Sequence, residues 1–100
     1  IPILSLSEKV SMLKIFKVAG VSMFPKYKPN EHVVTLKTSS IKQEDVIVFK
    51  DNSNNQIIKR IEAINEKGFI VKSDNKSYPS SLHNVLFSFD KIVGKVIFKF

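Results

Sequence analysis

The sequence predicts a small, mainly β domain of antiparallel strands, and three observations support that prediction. Short runs rich in β-branched and aromatic residues recur along the 100-residue chain. Clusters of Asn, Asp, Ser and Gly, which are turn-forming residues, separate these runs. No segment predicts a helix of ordinary length. An apolar fraction of 43% indicates a folded globule, and the length suits one domain of coiled antiparallel sheets.

The first fifteen residues are predicted to be a lead-in segment of this single domain, which covers residues 1–100. Ser7 can cap a short helical turn there, with Val10, Leu13 and Ile15 facing inward. The segment is too short and too polar to span a bilayer. It also lacks the charged start and unbroken apolar stretch of a secretion signal.

Strands are predicted over residues 16–20, 31–36, 45–50, 56–64, 69–72 and 91–100. The residues between the third and fourth runs, DNSNN, are almost all turn formers, so these two strands should form an antiparallel hairpin. The last run is long enough to pair across much of the sheet.

Ser22 is the first candidate for chemistry, because it follows a strand-like run on a constrained turn. Gly20 should remove a Cβ clash on one side of the serine, and Pro25 fixes φ on the other side. Such a turn presents the hydroxyl and leaves the Ser22 backbone N–H free to bind an anion. A lone serine after a glycine is more often an ordinary loop residue, so a second observation is needed.

Lys59 provides that second observation, because it lies on the more apolar face of the run at residues 56–64. With a period of two, one face carries Ile57, Lys59, Ile61 and Ala63, and the other carries Ile58, Arg60, Glu62 and Ile64. A lysine on an apolar face either extends its ammonium to the sheet edge or loses its proton to desolvation. A neutral lysine amine is a base, so Ser22 and Lys59 form the minimum set for a Ser–Lys dyad.

Four boxes in order resemble the superfamily of type I signal peptidases and self-cleaving LexA-like and phage repressors. Residues 20–25, GVSMFP, resemble its G-x-S-M-x-P box, and residues 58–61, IKRI, resemble its lysine box. Residues 42–49 resemble its "GDIVVF" strand, with Glu44 where glycine is usual. Residues 73–84 are similar to the signal-peptidase box "GDN…S-x-D-S-R" in degraded form. Together the boxes are far more specific than any one of them.

The resemblance implies a serine endopeptidase in which Ser22 is the nucleophile and Lys59 the general base. Gly20 stands where some bacterial relatives place a serine that completes the oxyanion hole. Ser81 is the closest match to the second serine that orients the lysine in signal peptidases. Met23 and Phe24, beside the nucleophile, are either core residues or lining of a substrate cleft.

The implied substrate is an extended peptide segment that is cleaved after a small residue such as alanine. The alternative is the C-terminal self-cleavage and dimerisation domain of a repressor, since residues 73–79, SDNKSYP, equally resemble the repressors' "SDNPxYP". In that case nucleic acid would be bound only by a separate N-terminal domain. As given, the chain is expected to be soluble, either cytoplasmic or the catalytic domain of a membrane-anchored peptidase.

Composition limits the remaining classes of function. The net charge of +7 arises from fifteen lysines and the single Arg60, whereas base readers and bidentate phosphate readers would be expected to use more arginine. Peripheral contact with an anionic membrane also suits such a surface. There is no cysteine, and neither His32 nor His83 has a recognisable metal-ligand spacing, so no metal or cofactor is expected. A triad of Ser22, His83 and Asp90 has no supporting spacing.

Overall fold

The computed structural model describes residues 12–78, 82 and 84–100. Six antiparallel strands form one sheet, in the order β1-β2-β6-β3-β4-β5. The strands are β1 Leu13–Lys17, β2 His32–Leu36, β3 Val46–Lys50, β4 Gln56–Asn65, β5 Gly68–Lys72 and β6 Ile92–Lys99. The helix that precedes β6 is a three-residue 3-10 turn, and no helix in the described ranges is long and apolar enough to cross a membrane. The predicted mainly β antiparallel class is thus confirmed.

The predicted hairpin of β3 and β4 is confirmed, and its turn is held as the residue types indicate. Val46 pairs with Arg60 at the open end, and Lys50 pairs with Gln56 beside the turn. The Asp51 carboxylate accepts hydrogen bonds of 2.9 Å from the backbone N–H groups of Ser53 and Asn55. This side-chain cap satisfies turn donors that would otherwise depend on water.

The sheet carries an apolar core on each face, and β3 contributes to both. Val46 and Val48 belong to one buried cluster, which also contains Met23, whereas Ile47 and Phe49 belong to the other. Successive side chains of a strand point to opposite faces, so a strand buried on both sides reads as an unbroken apolar run. The strand β6, which is predicted from its length to pair across much of the sheet, lies between β2 and β3 and pairs with both.

The prediction for the lead-in segment is wrong where it can be compared with the structure. Leu13 and Ile15 lie in the edge strand β1, and their side chains are 44% and 62% exposed rather than turned inward. Ser7 and Val10 lie outside the described residues. The first strand also ends earlier than predicted, at Lys17. Pairing with β2 makes this segment a strand rather than a helical turn. In this short edge strand, no core formed by the described residues packs against the face that carries Leu13 and Ile15.

A β-bulge in β4 changes which of its residues face the core. The pairing with β5 shifts between Ile61 and Ala63, so that Glu62 is the additional residue on the longer strand. Ile61 is fully buried, but two positions later Ala63 is exposed and Ile64 packs on the core instead. The predicted assignment of Ala63 to the same face as Lys59 and Ile61 is therefore wrong, because strict alternation stops at the bulge.

Candidate active site

Ser22 lies on a compact turn that follows β1. The Phe24 N–H donates to the Val21 carbonyl at 3.1 Å, and the Tyr27 N–H donates to the Met23 carbonyl at 2.9 Å. Gly20 has a φ of 75°, a left-handed value that side chains other than glycine adopt at a cost. A Cβ added at Gly20 would meet no atom within 4 Å, so the glycine is required by its φ and not, as predicted, by crowding.

The two residues after Ser22 differ in burial and in role. Met23 is 1% exposed and packs in the core beneath the turn, where its sulfur accepts a hydrogen bond of 3.5 Å from the Asp74 N–H. Of the two alternatives predicted for Met23, the structure supports the core position, so the cleft-lining alternative is wrong and this residue anchors the turn instead. Phe24 is 42% exposed beside the serine and can contact a ligand.

Lys59 is buried in the middle of β4, directly opposite Ile47 of β3. Its side chain is part of a residue only 7% exposed, so the ammonium does not extend into solvent. Nζ donates a hydrogen bond of 2.8 Å to the Ser73 hydroxyl, and no carboxylate of the described residues lies within ion-pair distance of it. Burial without a negative partner lowers the pKa of Lys59 below its ordinary value.

Ser73 is a site residue that the sequence did not reveal. Arg60 pairs with Lys72 in the ladder of β4 and β5, and continuing this register by one residue brings Ser73 opposite Lys59. The hydrogen bond between the two side chains agrees with that placement. A correct register for the hairpin would have found this serine, but the register depends on the bulge at Glu62.

Residues 73–75 connect the Lys59 side chain to the Ser22 turn. The Asn75 N–H donates to the Ser22 carbonyl at 2.9 Å, and the Asn75 side-chain amide donates to the Val21 carbonyl at 2.9 Å. Two residues of extended chain span at most about 7 Å, so the lysine head group and the serine backbone lie in one region. Within the described ranges, however, no hydrogen bond joins the Ser22 hydroxyl directly to Lys59.

Arg60 and Asp74 brace the same segment from the opposite face of β4. The guanidinium donates through Nε and Nη2 to the two carboxylate oxygens of Asp74, each at 2.8 Å. A third bond of 2.8 Å runs from Nη1 to the Glu44 carbonyl. The hydrogen bond to Asp74 raises the pKa of Arg60, so this cation is permanently charged. The motif Lys-Arg therefore supplies one unpaired buried amine and one structural ion pair.

Of the remaining predicted residues Ser81, His83 and Asp90, the structure describes only Asp90. Ser81 and His83 lie outside the described residues, so an orienting role for Ser81 stays a prediction. Asp90 lies in the 3-10 turn and lines a pocket that contains no residue of the Ser22 turn. No group of three potential metal ligands occurs in the described part of the chain.

An anion could bind at the Ser22 turn through backbone donors. Among the described residues, no acceptor faces the Ser22 N–H, which lies next to a hydroxyl that is itself only half-buried. A free N–H beside a hydroxyl on a tight turn is suited to a carbonyl oxygen that gains negative charge. The turn can therefore offer a nucleophile and one oxyanion donor together.

One of the comparisons with known proteins gives a family for this chain. The family model described as Peptidase S24-like matches residues 3–97, a range that includes Ser22, Lys59 and Ser73. A comparison with curated proteins gives no significant match.

Proposed function

Because the chain belongs to the Peptidase S24-like family, which groups LexA-like, signal-peptidase and phage-repressor peptidases, we propose that it is a serine endopeptidase with a Ser22–Lys59 dyad. The observation that carries the proposal is Lys59, a buried lysine that has no acidic partner among the described residues and is linked through residues 73–75 to the serine turn. Burial lowers the pKa of Lys59 and so increases the fraction of neutral amine, which makes it a better base near neutral pH than an exposed lysine.

In the proposed reaction, the Ser22 hydroxyl attacks the carbonyl carbon of a peptide bond. Neutral Lys59 accepts the hydroxyl proton and then returns it to the nitrogen that leaves, so that an ester joins the substrate to Ser22. The Ser22 N–H stabilises the oxyanion, and Gly20 contributes only the backbone shape of the turn. Water, deprotonated by the same amine, then hydrolyses the ester and restores both groups.

The proton transfer requires Lys59 Nζ to turn from the Ser73 hydroxyl, to which it donates in the free protein, toward the Ser22 hydroxyl. Catalytic hydrogen bonds are often long or poorly aligned without substrate and tighten in the complex. A peptide that covers the half-buried serine would also expel water, which disfavours the ammonium form further. The expected substrate is an extended peptide with a small residue before the cleaved bond, since the exposed Phe24 adds bulk beside Ser22.

The nucleophile is tested with the Ser22→Ala variant and a series of fluorogenic peptides that differ before the cleaved bond. We expect the variant to keep its circular dichroism spectrum and to lose cleavage by at least about a hundredfold. Ser53→Ala, a change in the β3–β4 turn, is the matched control and should cleave like the unmodified chain. In the unmodified chain, peptides with alanine or glycine should be cleaved faster than those with leucine or lysine. Appreciable turnover by Ser22→Ala would refute the assignment.

A second candidate is cleavage of the protein's own chain, as in repressors. It is supported by residues 73–79, whose resemblance to "SDNPxYP" includes Ser73 and the two residues after it. Self-cleavage within one molecule is first order, so its rate does not change with protein concentration. Mass spectrometry of the chain incubated at several concentrations separates the two candidates. Fragments that require Ser22 and form at a rate independent of protein concentration would favour the repressor type.

A further inference from the structure

A second cavity lies away from the Ser22 turn, between the 3-10 turn, the start of β6 and the connection that leaves β2. Its volume is about 800 Å³, and none of its described lining residues belongs to the candidate active site. The wall is mainly apolar and is formed by Met12, Ile41, Ile64, Phe89, Ile92 and Val93. Two of these side chains remain open to solvent at the mouth, Met12 at 38% and Phe89 at 40% exposure. A ligand with an apolar body would cover them.

Lysines surround the mouth of this cavity. Lys37 lines both the cavity and an adjoining recess of about 240 Å³, and the recess adds Lys14, Lys50 and Lys91. The acidic residue lining both is Asp90, whose carboxylate accepts a hydrogen bond from the Ser88 hydroxyl. Within the described residues, none of these four lysines forms an ion pair with a carboxylate. Four unpaired ammonium groups against one carboxylate make the rim attractive to an anion.

We propose that this cavity binds a small anionic amphiphile, a molecule with one apolar chain or ring system and one carboxylate or phosphate. The apolar wall and the volume are in the range that holds most of a small ligand. Lysine binds carboxylate and phosphate as a mobile point charge, and its long side chain follows a ligand head group at an open rim. A cationic amphiphile of the same length would meet the same apolar wall but a repulsive rim.

The test is calorimetric titration of the unmodified 100-residue chain with decanoate, below the concentration at which decanoate forms micelles. We expect saturable binding of one molecule per chain and no saturable binding of decyltrimethylammonium. The Lys37→Glu, Lys50→Glu double variant should bind decanoate at least tenfold more weakly. Lys67→Glu, Lys76→Glu is the matched control, because it changes the net charge equally at exposed positions outside the cavity, and its affinity should stay within twofold.

The apolar wall is tested through chain length. Each added methylene that is buried should strengthen binding about fourfold, so decanoate should exceed octanoate by roughly fifteenfold. Phe89→Ser should reduce that ratio without removing the preference for an anion. Decyl phosphate in place of decanoate shows whether the site prefers phosphate or carboxylate, and Ser22→Ala should bind like the unmodified chain because the cavity does not include the serine.

Four results would overturn the proposal. Equal binding of the cationic amphiphile would show a merely apolar surface, and equal loss in the Lys67, Lys76 control would show unspecific attraction by net charge. The absence of saturable decanoate binding would exclude the ligand class. Binding of an acidic peptide that the Lys37→Glu, Lys50→Glu variant loses, without saturable binding of any amphiphile, would assign the cavity to a protein partner instead.

Discussion

Lys59 and Arg60 are neighbours in β4, yet the two faces of the sheet give their cations opposite environments. Arg60 meets the carboxylate of Asp74 through two parallel hydrogen bonds, and the pKa of its guanidinium is raised. Lys59 meets the hydroxyl of Ser73 and no carboxylate of the described residues, and burial lowers the pKa of its ammonium. The pair shows that burial by itself does not decide the charge of a basic group. The difference follows from the partner in the segment after β5 and from the intrinsically higher pKa of a guanidinium.

The comparison also separates two functions that the sequence motif joins. The ion pair of Arg60 fixes residues 73–75, which hold the Ser22 turn by hydrogen bonds to Ser22 and Val21. Lys59 is left without a charge partner and is free to exchange a proton. Variants that exchange or remove these partners should therefore affect stability on one face of β4 and proton transfer on the other.

The largest effect is expected for Lys59→Arg. A guanidinium stays protonated and cannot accept the serine proton, so peptide cleavage should fall by at least about a hundredfold. Initial rates with a fluorogenic peptide measure it. Lys72→Arg, at an exposed ion pair one strand away, should retain near-normal rates. If Lys59→Arg also retained them, Lys59 would be a structural cation and the base would have to be sought elsewhere.

The second-largest effect is expected on the free energy of unfolding when the ion pair of Arg60 is broken. In Asp74→Asn the guanidinium, 17% exposed, loses its anionic partner, and the free energy of unfolding should fall by roughly 1–3 kcal/mol. Urea denaturation measures the change. Glu44→Gln, which breaks the exposed pair with Lys72, should cost less than about 1 kcal/mol. Equal losses in the two variants would mean that the bidentate pair has no special structural role.

Ser73→Ala should lower kcat/KM by about tenfold and also change its pH dependence, because proper alignment of a general base contributes on this scale. The hydroxyl accepts from the ammonium, so its loss disfavours the charged form and lowers the pKa of Lys59 further. The rise of activity with pH should then occur at lower pH than in the unmodified chain. Ser73→Thr should restore both rate and profile. If the rate fell but the pH profile did not shift, Ser73 would have only a structural role.

The smallest effect concerns stability and pH in Lys59→Met. The folded-state pKa of Lys59 lies below its unfolded value, so unfolding takes up protons between the two values and stability rises with pH there. Removing the lysine should stabilise the protein below the folded-state pKa by about 1 kcal/mol, at the lower end of what replacing a buried charge yields. The gain should shrink as the pH approaches the ordinary lysine value of 10.5. Thermal denaturation across that range, with Lys76→Met as the exposed control, tests it.

Local chemistry was enough to predict several features from the sequence. The turn formers at residues 51–55 predicted the hairpin of β3 and β4, and strand alternation predicted that Lys59 and Arg60 lie on opposite faces of the sheet. These features depend on residues close together in the chain. The Ser22 turn was identified for the same reason, although φ and not crowding explains Gly20.

Features that depend on distant contacts were not predicted. Leu13 and Ile15 carry a pattern that fits a helical turn, but pairing with β2 places them in an exposed edge strand. The choice between core and cleft for Met23 depends on the buried cluster that the turn packs against, and nothing nearby in the sequence indicates that cluster. The contact of Ser73 with Lys59 depends on the register of β4 against β5, which one unpaired residue changes.

The extra residue at Glu62 acts as a spacer that selects the functional group facing the lysine. On the far side of the bulge, Asn65 pairs with Gly68 and Ile64 with Phe69. If that register continued without a bulge, Asp74 rather than Ser73 would stand opposite Lys59. The lysine would then face a carboxylate, become a permanent cation and lose its value as a base. Pairing of Glu62 within the ladder would therefore exchange an alcohol for an acid at the centre of the site without changing either residue, whereas deletion of Glu62 would leave Ser73 opposite Lys59.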